Sequence, residues 1–237
     1  MASGAMRGGT TKLRSGESGS LGRTLTEGRQ RTRLEAAMVE AVAKHGYAET
    51  TVAELVRIAA VSKSTFYAHF RNKEDCFFAT LDKIVDEVSA RVGVAYASQD
   101  DLERSLATAL SRFAEWLVGE SDAASLVAVD SLSLGAASVP HIERAGRAFE
   151  STLRRSLEEQ EINPGRPSGL AVRAIVGGIR TVIYRCLRDG RPEEFAEWLE
   201  PLLAWSLAYL SERSTSHPVA ERPLPEGSLG NPDPDYI

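Results

Sequence analysis

Cysteine is nearly absent from this chain. Two thiols among 237 residues, Cys76 and Cys186, stand 110 positions apart with no partner spacing. That excludes a disulfide framework and a paired-cysteine metal site, and it fits two core thiols in a reducing cytoplasm. Histidine is as scarce: His45, His69, His141 and His217 lie in unrelated contexts. No Gly-x-Gly-x-x-Gly, Gly-x-Ser-x-Gly or His-Glu-x-x-His pattern accompanies them. The expectation is a chain with no catalytic residue, no metal and no cofactor, hence not an enzyme. Nor is there an uninterrupted apolar run near the roughly 18 residues that a membrane span requires. The first residues lack the apolar stretch of a secretory signal. No membrane partner is expected.

What is present is an uneven charge. The net value of −5 divides into +4 over residues 1–75 and −9 over the remaining 162. A basic front end on an acidic body implies contact with a polyanion at one end only.

Four regions follow from composition and periodicity. Residues 1–24 are rich in Gly, Ser, Thr and Arg, and read as a disordered basic arm. Arg7, Lys12, Arg14 and Arg23 there suit DNA phosphates or a minor groove, unless the arm is an inert extension. Residues 25–72 form a first domain, 73–213 a helical body, and 214–237 a Pro-rich acidic disordered tail. Within the first domain Leu34, Met38, Ala41 and Val42 repeat at helical spacing, and Gly46 supplies a stop. Thr51 and Glu54 have the spacing of a capping box opening a second helix. Ser62 is placed to cap a third, short helix ending near Phe70. A fourth runs from about Lys73 to Tyr96, on the order of 35 Å. Leu102 to Leu117 mark a fifth, and Asp122 is placed to cap a sixth that Gly135 ends. Pro140 opens a seventh. The eighth, near 168–188, is apolar nearly all round. Pro201 then divides a short helix from a last one.

Two helices joined by so short a turn describe a helix-turn-helix, whose second helix enters the major groove of DNA. With about 100° per residue, Phe66 and Phe70 point inward, Ser62 near them, while Ser64 and Ala68 fall on the opposite side. Thr65 and Tyr67 flank that arc, and Lys63 projects from the helix start. Small and hydroxylic groups let a helix approach bases and phosphates, and the Ala68 methyl suits a thymine methyl. On the wheel alone, a solvated polar face remains an equal reading.

The stretch TVAELVRIAAVSKSTFYAHFRNKED, Thr51 to Asp75, resembles the DNA-binding signature of the tetracycline-repressor (TetR) family of bacterial transcription regulators. The shared positions are Thr51-Val52, Ala59, Val61-Ser62, Thr65, Phe66-Tyr67, His69-Phe70 and Asn72-Lys73-Glu74. The likeness covers residues 30–80. It implies an all-α protein: a three-helix helix-turn-helix domain followed by a helical ligand-binding and dimerisation domain. It implies that Lys63, Ser64 and Thr65 face bases or nearby backbone, that Tyr67, His69 and Lys73 bind phosphates, and that Thr51 contacts the DNA backbone. His69 has a second reading, half-buried beside Phe70 and silent. Two departures stand out. Ala60 replaces the family's turn glycine, which puts the turn shape in doubt, and Val56 replaces a small residue.

The resemblance further implies a homodimer on a palindromic operator, acting as a repressor released by a small effector. The expected interface is Ile175, Gly178, Ile179, Val182, Trp198, Leu202, Trp205 and Tyr209. The eighth helix has more apolar surface than one partner can cover, although a monomer core would also absorb it. The effector, expected to be largely apolar, would meet Phe113, Trp116, Leu117, Leu126, Val129, Phe149 and Tyr184. Asp130 and Arg180 are charges inside apolar stretches. They either pair with each other or reach solvent, or they anchor that ligand. A DNA-binding dimer without a ligand, controlled by a protein partner or by abundance, is the alternative.

Overall fold

The computed structural model describes the backbone of residues 15–99, 101–159 and 169–211, with side chains described for 25–99, 101–151, 153–154 and 169–210. Nine α-helices follow in order: α1 Ser15–Glu49, α2 Val52–Ile58, α3 Lys63–His69, α4 Lys73–Ala97, α5 Leu102–Gly119, α6 Ser121–Ala128, α7 Val139–Glu159, α8 Gly169–Arg188 and α9 Leu199–Ser211. Two 3₁₀ segments, Asp130–Ser138 and Pro192–Trp198, complete the described chain, which contains no strand. The architecture is all-α, a small helix-turn-helix head on a larger helical body.

The head is held by local code. Thr51 Oγ1 accepts from the Glu54 amide at 3.2 Å, Ser62 Oγ from the Thr65 amide at 3.0 Å, and Asn72 Oδ1 from the Asp75 amide at 2.8 Å. Three successive helices thus start on a side-chain cap, each worth about 1 kcal/mol. The inward stripe of α1 then meets Leu55, Phe66, Phe70 and Phe77 in one buried cluster. Buried Glu35 of α1 accepts from Arg31 at 3.0 Å and from Lys83 of α4 at 2.8 Å, fastening the head to the helix that leaves it.

The body is built from α4 to α9, with α4 packed on both α5 and α7. Its cores are two separate clusters, one around Leu106, Ile175 and Leu210, the other around Leu117, Phe195 and Leu202. Burial pushes the Cys76 thiol up to about 12, with the Glu35 carboxylate adding to the effect, so it stays protonated.

Several boundaries differ from expectation. The backbone is helical from Ser15, so the unstructured arm foreseen over 1–24 does not hold for 15–24; residues 1–14 lie outside the described residues, as does the tail at 214–237. Gly46 (φ 81°, ψ 165°) breaks the helix where a stop was expected, and a short second helical turn beyond the kink reaches Glu49. Glu54 does not complete a capping box by reaching back; its carboxylate lies 2.9 Å from His45 Nε2, a partner that sequence spacing does not reveal. Asp122 sits inside the first turn of α6 and not at its cap, which is Glu120. That helix ends at Ala128; Val129 (φ −116°, ψ −60°) leads into the 3₁₀ segment, in which Leu132 is half exposed. By length and composition Ser121–Ser151 qualifies as a membrane span. It is not one continuous α-helix, however, since the 3₁₀ segment and its left-handed glycine interrupt it.

Candidate nucleic-acid interface and ligand cavity

The outward side of α3 carries what the wheel placed there. Lys63, Ser64, Tyr67 and Ala68 are exposed, Thr65 and His69 are half-buried, and Phe66 and Phe70 are in the core. Ser62, placed inward by the wheel, is exposed instead, because its cap geometry swings the hydroxyl over the helix start. There Ser62 Oγ stands 2.8 Å from both the Ser64 and Thr65 hydroxyls. The three form a preorganised hydroxyl cluster, with the Lys63 ammonium projecting beside it. Tyr67 packs edge-on against Phe66, ring centroids 5.3 Å apart, which fixes the direction of its phenol.

Lys73 has a more structural position than expected. Its Nζ donates to the Tyr47 carbonyl at 2.8 Å and lies 4.1 Å from the centre of the Tyr47 ring, closing the C-terminal end of α1. An ammonium has three donors, so a phosphate would share it with this cap. Thr51 is exposed at the start of α2, with its Oγ1 engaged as the cap.

The turn between α2 and α3 contains the one left-handed non-glycine residue among those described: Ala60 has φ 49°. The turn is therefore not re-shaped by the absence of glycine; alanine adopts the strained conformation. Arg33 of α1 braces it, donating from Nε to the Ala59 carbonyl at 2.7 Å and from Nη2 to the Ala60 carbonyl. These carbonyls lie at the C-terminal end of α2, where a cation is favoured. The partners are 26 and 27 positions apart, so no local pattern points to Arg33. Only the missing glycine hints that something must hold the turn.

In the body, α4, α5, α7 and α8 enclose a cavity of about 390 Å³. Its wall is almost wholly apolar, with Val85 and Val88 from α4, Phe113 and Trp116 from α5, Phe149 from α7 and Ile179 from α8 among the contributors. Of the residues expected to meet a ligand, Phe113, Trp116, Leu117, Phe149, Arg180 and Tyr184 line it. Leu126, Val129 and Asp130 do not. Leu126 is buried in the head's core cluster, and Val129 packs in the cluster around Leu117. Asp130 opens the 3₁₀ segment; desolvation raises its carboxyl above the ordinary range. Among the described residues no ion pair joins Asp130 to Arg180, which is exposed to solvent. The resemblance places the effector among the fourth to eighth helices without naming α4 residues; Val85 and Val88 come from the buried face of that helix.

The sequence of the head matches, over residues 34–80, the profile of the bacterial regulatory proteins of the tetR family. The match is confined to the head. It is similar to the HTH-type transcriptional repressor ComR of Escherichia coli (strain K12), 42% identical over 48 residues, 20% of this chain and 23% of that protein. The fatty acid metabolism regulator protein of Bacillus subtilis (strain 168) is 26% identical over 88 residues, 37% of this chain and 45% of that one. The chain thus spans less than half the length of the curated relatives it matches. Over the whole fold it superimposes on the transcriptional regulator FadR from Bacillus subtilis in complex with stearoyl-CoA, with a TM-score of 0.65, 18% identity, and 76% of this chain and 98% of that chain covered.

The anticipated pairing surface needs correction at two positions. Ile175 is buried against the cavity and Leu202 is buried in the cluster around Phe195, so neither is available to a second copy. Ile179 and Val182 are half-buried in the same interior. Gly178 instead accommodates a neighbour within the chain: a Cβ there would stand 3.0 Å from the Trp205 ring. Trp198, Trp205 and Tyr209 remain exposed along one side of α9 and the segment before it.

Proposed function

We propose that this protein is a DNA-binding transcription regulator that reads a palindromic operator as a homodimer. The observation that carries the reading is the outward side of α3, where Lys63, the Ser62–Ser64–Thr65 hydroxyl cluster and Tyr67 stand clear of the core on a helix short enough to enter a major groove. Lys63, Ser64 and Thr65 face base edges or adjacent backbone. Tyr67, His69 and Thr51 meet phosphates, and the third Lys73 donor joins them. The exposed Trp198, Trp205 and Tyr209 form the surface where two copies meet. The pairing sets two α3 helices one DNA turn or more apart.

The mode of action proposed is repression from the cytoplasm, relieved when a small, mostly apolar molecule occupies the cavity bounded by α4, α5, α7 and α8. Support comes from the wall itself: α4 both lines the cavity and carries the head, so a molecule that changes its packing changes where α3 points. The named relatives include a repressor and a regulator crystallised with stearoyl-CoA. Selection of bound fragments from the source genome, followed by footprinting, tests the reading. A recurrent inverted repeat protected on two successive major-groove faces is the expected result.

A further inference from the structure

The mouth of the cavity is chemically unlike its interior. Of the residues that line it, Leu132, Arg180 and Thr181 are the exposed ones, which places the opening between the 3₁₀ segment 130–138 and α8. Among the described residues, Arg180 is the only charged one in the lining. It sits on the same stripe of α8 as Val176, Ile183 and Tyr184, at spacings of four and three residues, so its aliphatic stem follows the apolar wall while its guanidinium reaches the opening. Thr181 and Tyr184 are otherwise engaged: the Thr181 hydroxyl donates to the Gly177 carbonyl at 3.0 Å, and Tyr184 pairs with Arg188. Two turns earlier on α8, Arg173 has a carboxylate waiting on α7, with its Nε 3.5 Å from Glu150. Arg180 has no such partner among the described residues.

We infer that the cavity takes an amphipathic anion: an apolar chain or ring system inside, and a carboxylate or phosphate head held at the mouth by Arg180. This rests on the reading of the cavity as the effector site and names the class of molecule it selects. Planar guanidinium donors match a carboxylate or phosphate, whereas a neutral or cationic head would leave Arg180 unanswered or repelled. The site is solvent-open, so the head contributes selectivity and the wall most of the affinity.

The test uses the full chain and four probes of equal chain length below their micellar range: decanoate, decyl phosphate, decanol and decyltrimethylammonium. Binding is read as thermal stabilisation and as a calorimetric dissociation constant. At least one of the anions should bind roughly fivefold tighter than decanol, the scale of an exposed charge pair. Arg180→Gln should remove that preference by weakening the anions more than decanol, and Arg180→Lys should keep part of it. Which anion binds better distinguishes a carboxylate from a phosphate source. Equal binding of decanol, or tighter binding of the cation, overturns the anionic class yet leaves the cavity as an effector site. If no probe binds, both the class and the effector role of the cavity are overturned. A preference that survives Arg180→Gln overturns the part given to Arg180.

Discussion

The head and the body solve opposite packing problems. In the head, short helices with side-chain caps press Leu34, Leu55, Phe66 and Phe77 into a core that excludes solvent completely. The body keeps Phe113, Trp116 and Phe149 only partly buried around an open volume of about 390 Å³. A surface that must hold one fixed shape against DNA is close-packed, while a site that must admit a molecule leaves its wall short of contacts. The helix α4 belongs to both, supplying Phe77 to the head core, Val88 to the cavity wall, and Leu81 and Val85 to each.

The sharpest way to break this contrast is truncation on each side. Phe66→Ala should cost about 3–5 kcal/mol in chemical denaturation, the usual loss for a fully buried aromatic. Phe113→Ala should cost clearly less, because its ring already borders empty space. Equal losses would mean that the cavity wall is as tightly packed as the head.

A smaller effect sharpens the account of the turn. Arg33→Ala should lower stability by about 2 kcal/mol, the scale of hydrogen bonds made by a charged donor. Ala60→Gly should raise it by about 0.5–1 kcal/mol by removing the left-handed strain at φ 49°. In the double variant part of the Arg33 loss should return. Strict additivity would show that the arginine does not brace the turn.

On the DNA side, Lys63→Ala should change which base is preferred at one operator position by about 1–2 kcal/mol. Tyr67→Phe should weaken all sequences alike and flatten the salt dependence by a fraction of one phosphate contact. Competitive binding across single-base operator variants separates the two outcomes.

The smallest expected effect concerns Asp130. Burial raises its folded pKa, so the folded state binds a proton more readily than the unfolded chain. Its contribution to stability is therefore best at acid pH and declines as pH rises from the ordinary carboxylate range through the raised value. Asp130→Asn should stabilise the protein at pH 7 by a few tenths to about 1 kcal/mol, and the gain should vanish at low pH. Melting curves across pH decide this.

Sequence reading served the head better than the body for a physical reason. Capping residues, the Phe66–Phe70 spacing and the signature at Thr51–Asp75 act over a few positions, and the wheel placed every exposed α3 side chain correctly except Ser62. The contacts it missed in the head, Arg33 to Ala60 and His45 to Glu54, join separate helices. In the body, a buried apolar residue has the same appearance in sequence whether it fills a core or lines a hole. Leu126 and Phe149 illustrate the ambiguity: one is core, the other wall. Likewise Ile175 and Leu202 have the composition of an interface but face the interior. The change from α6 to a 3₁₀ segment at Val129 carries Asp130 and Leu132 off the α6 stripe, in a way periodicity cannot anticipate.

The central claim is that the α3 surface reads sequence. Its most direct test is the affinity of the full chain, free of effector and at low salt, for its best selected genomic fragment against a scrambled duplex of the same composition. The account predicts a preference of about 10³ or more, abolished when Lys63, Ser64 and Thr65 are replaced together by alanine. Equal affinity for the two duplexes would contradict it.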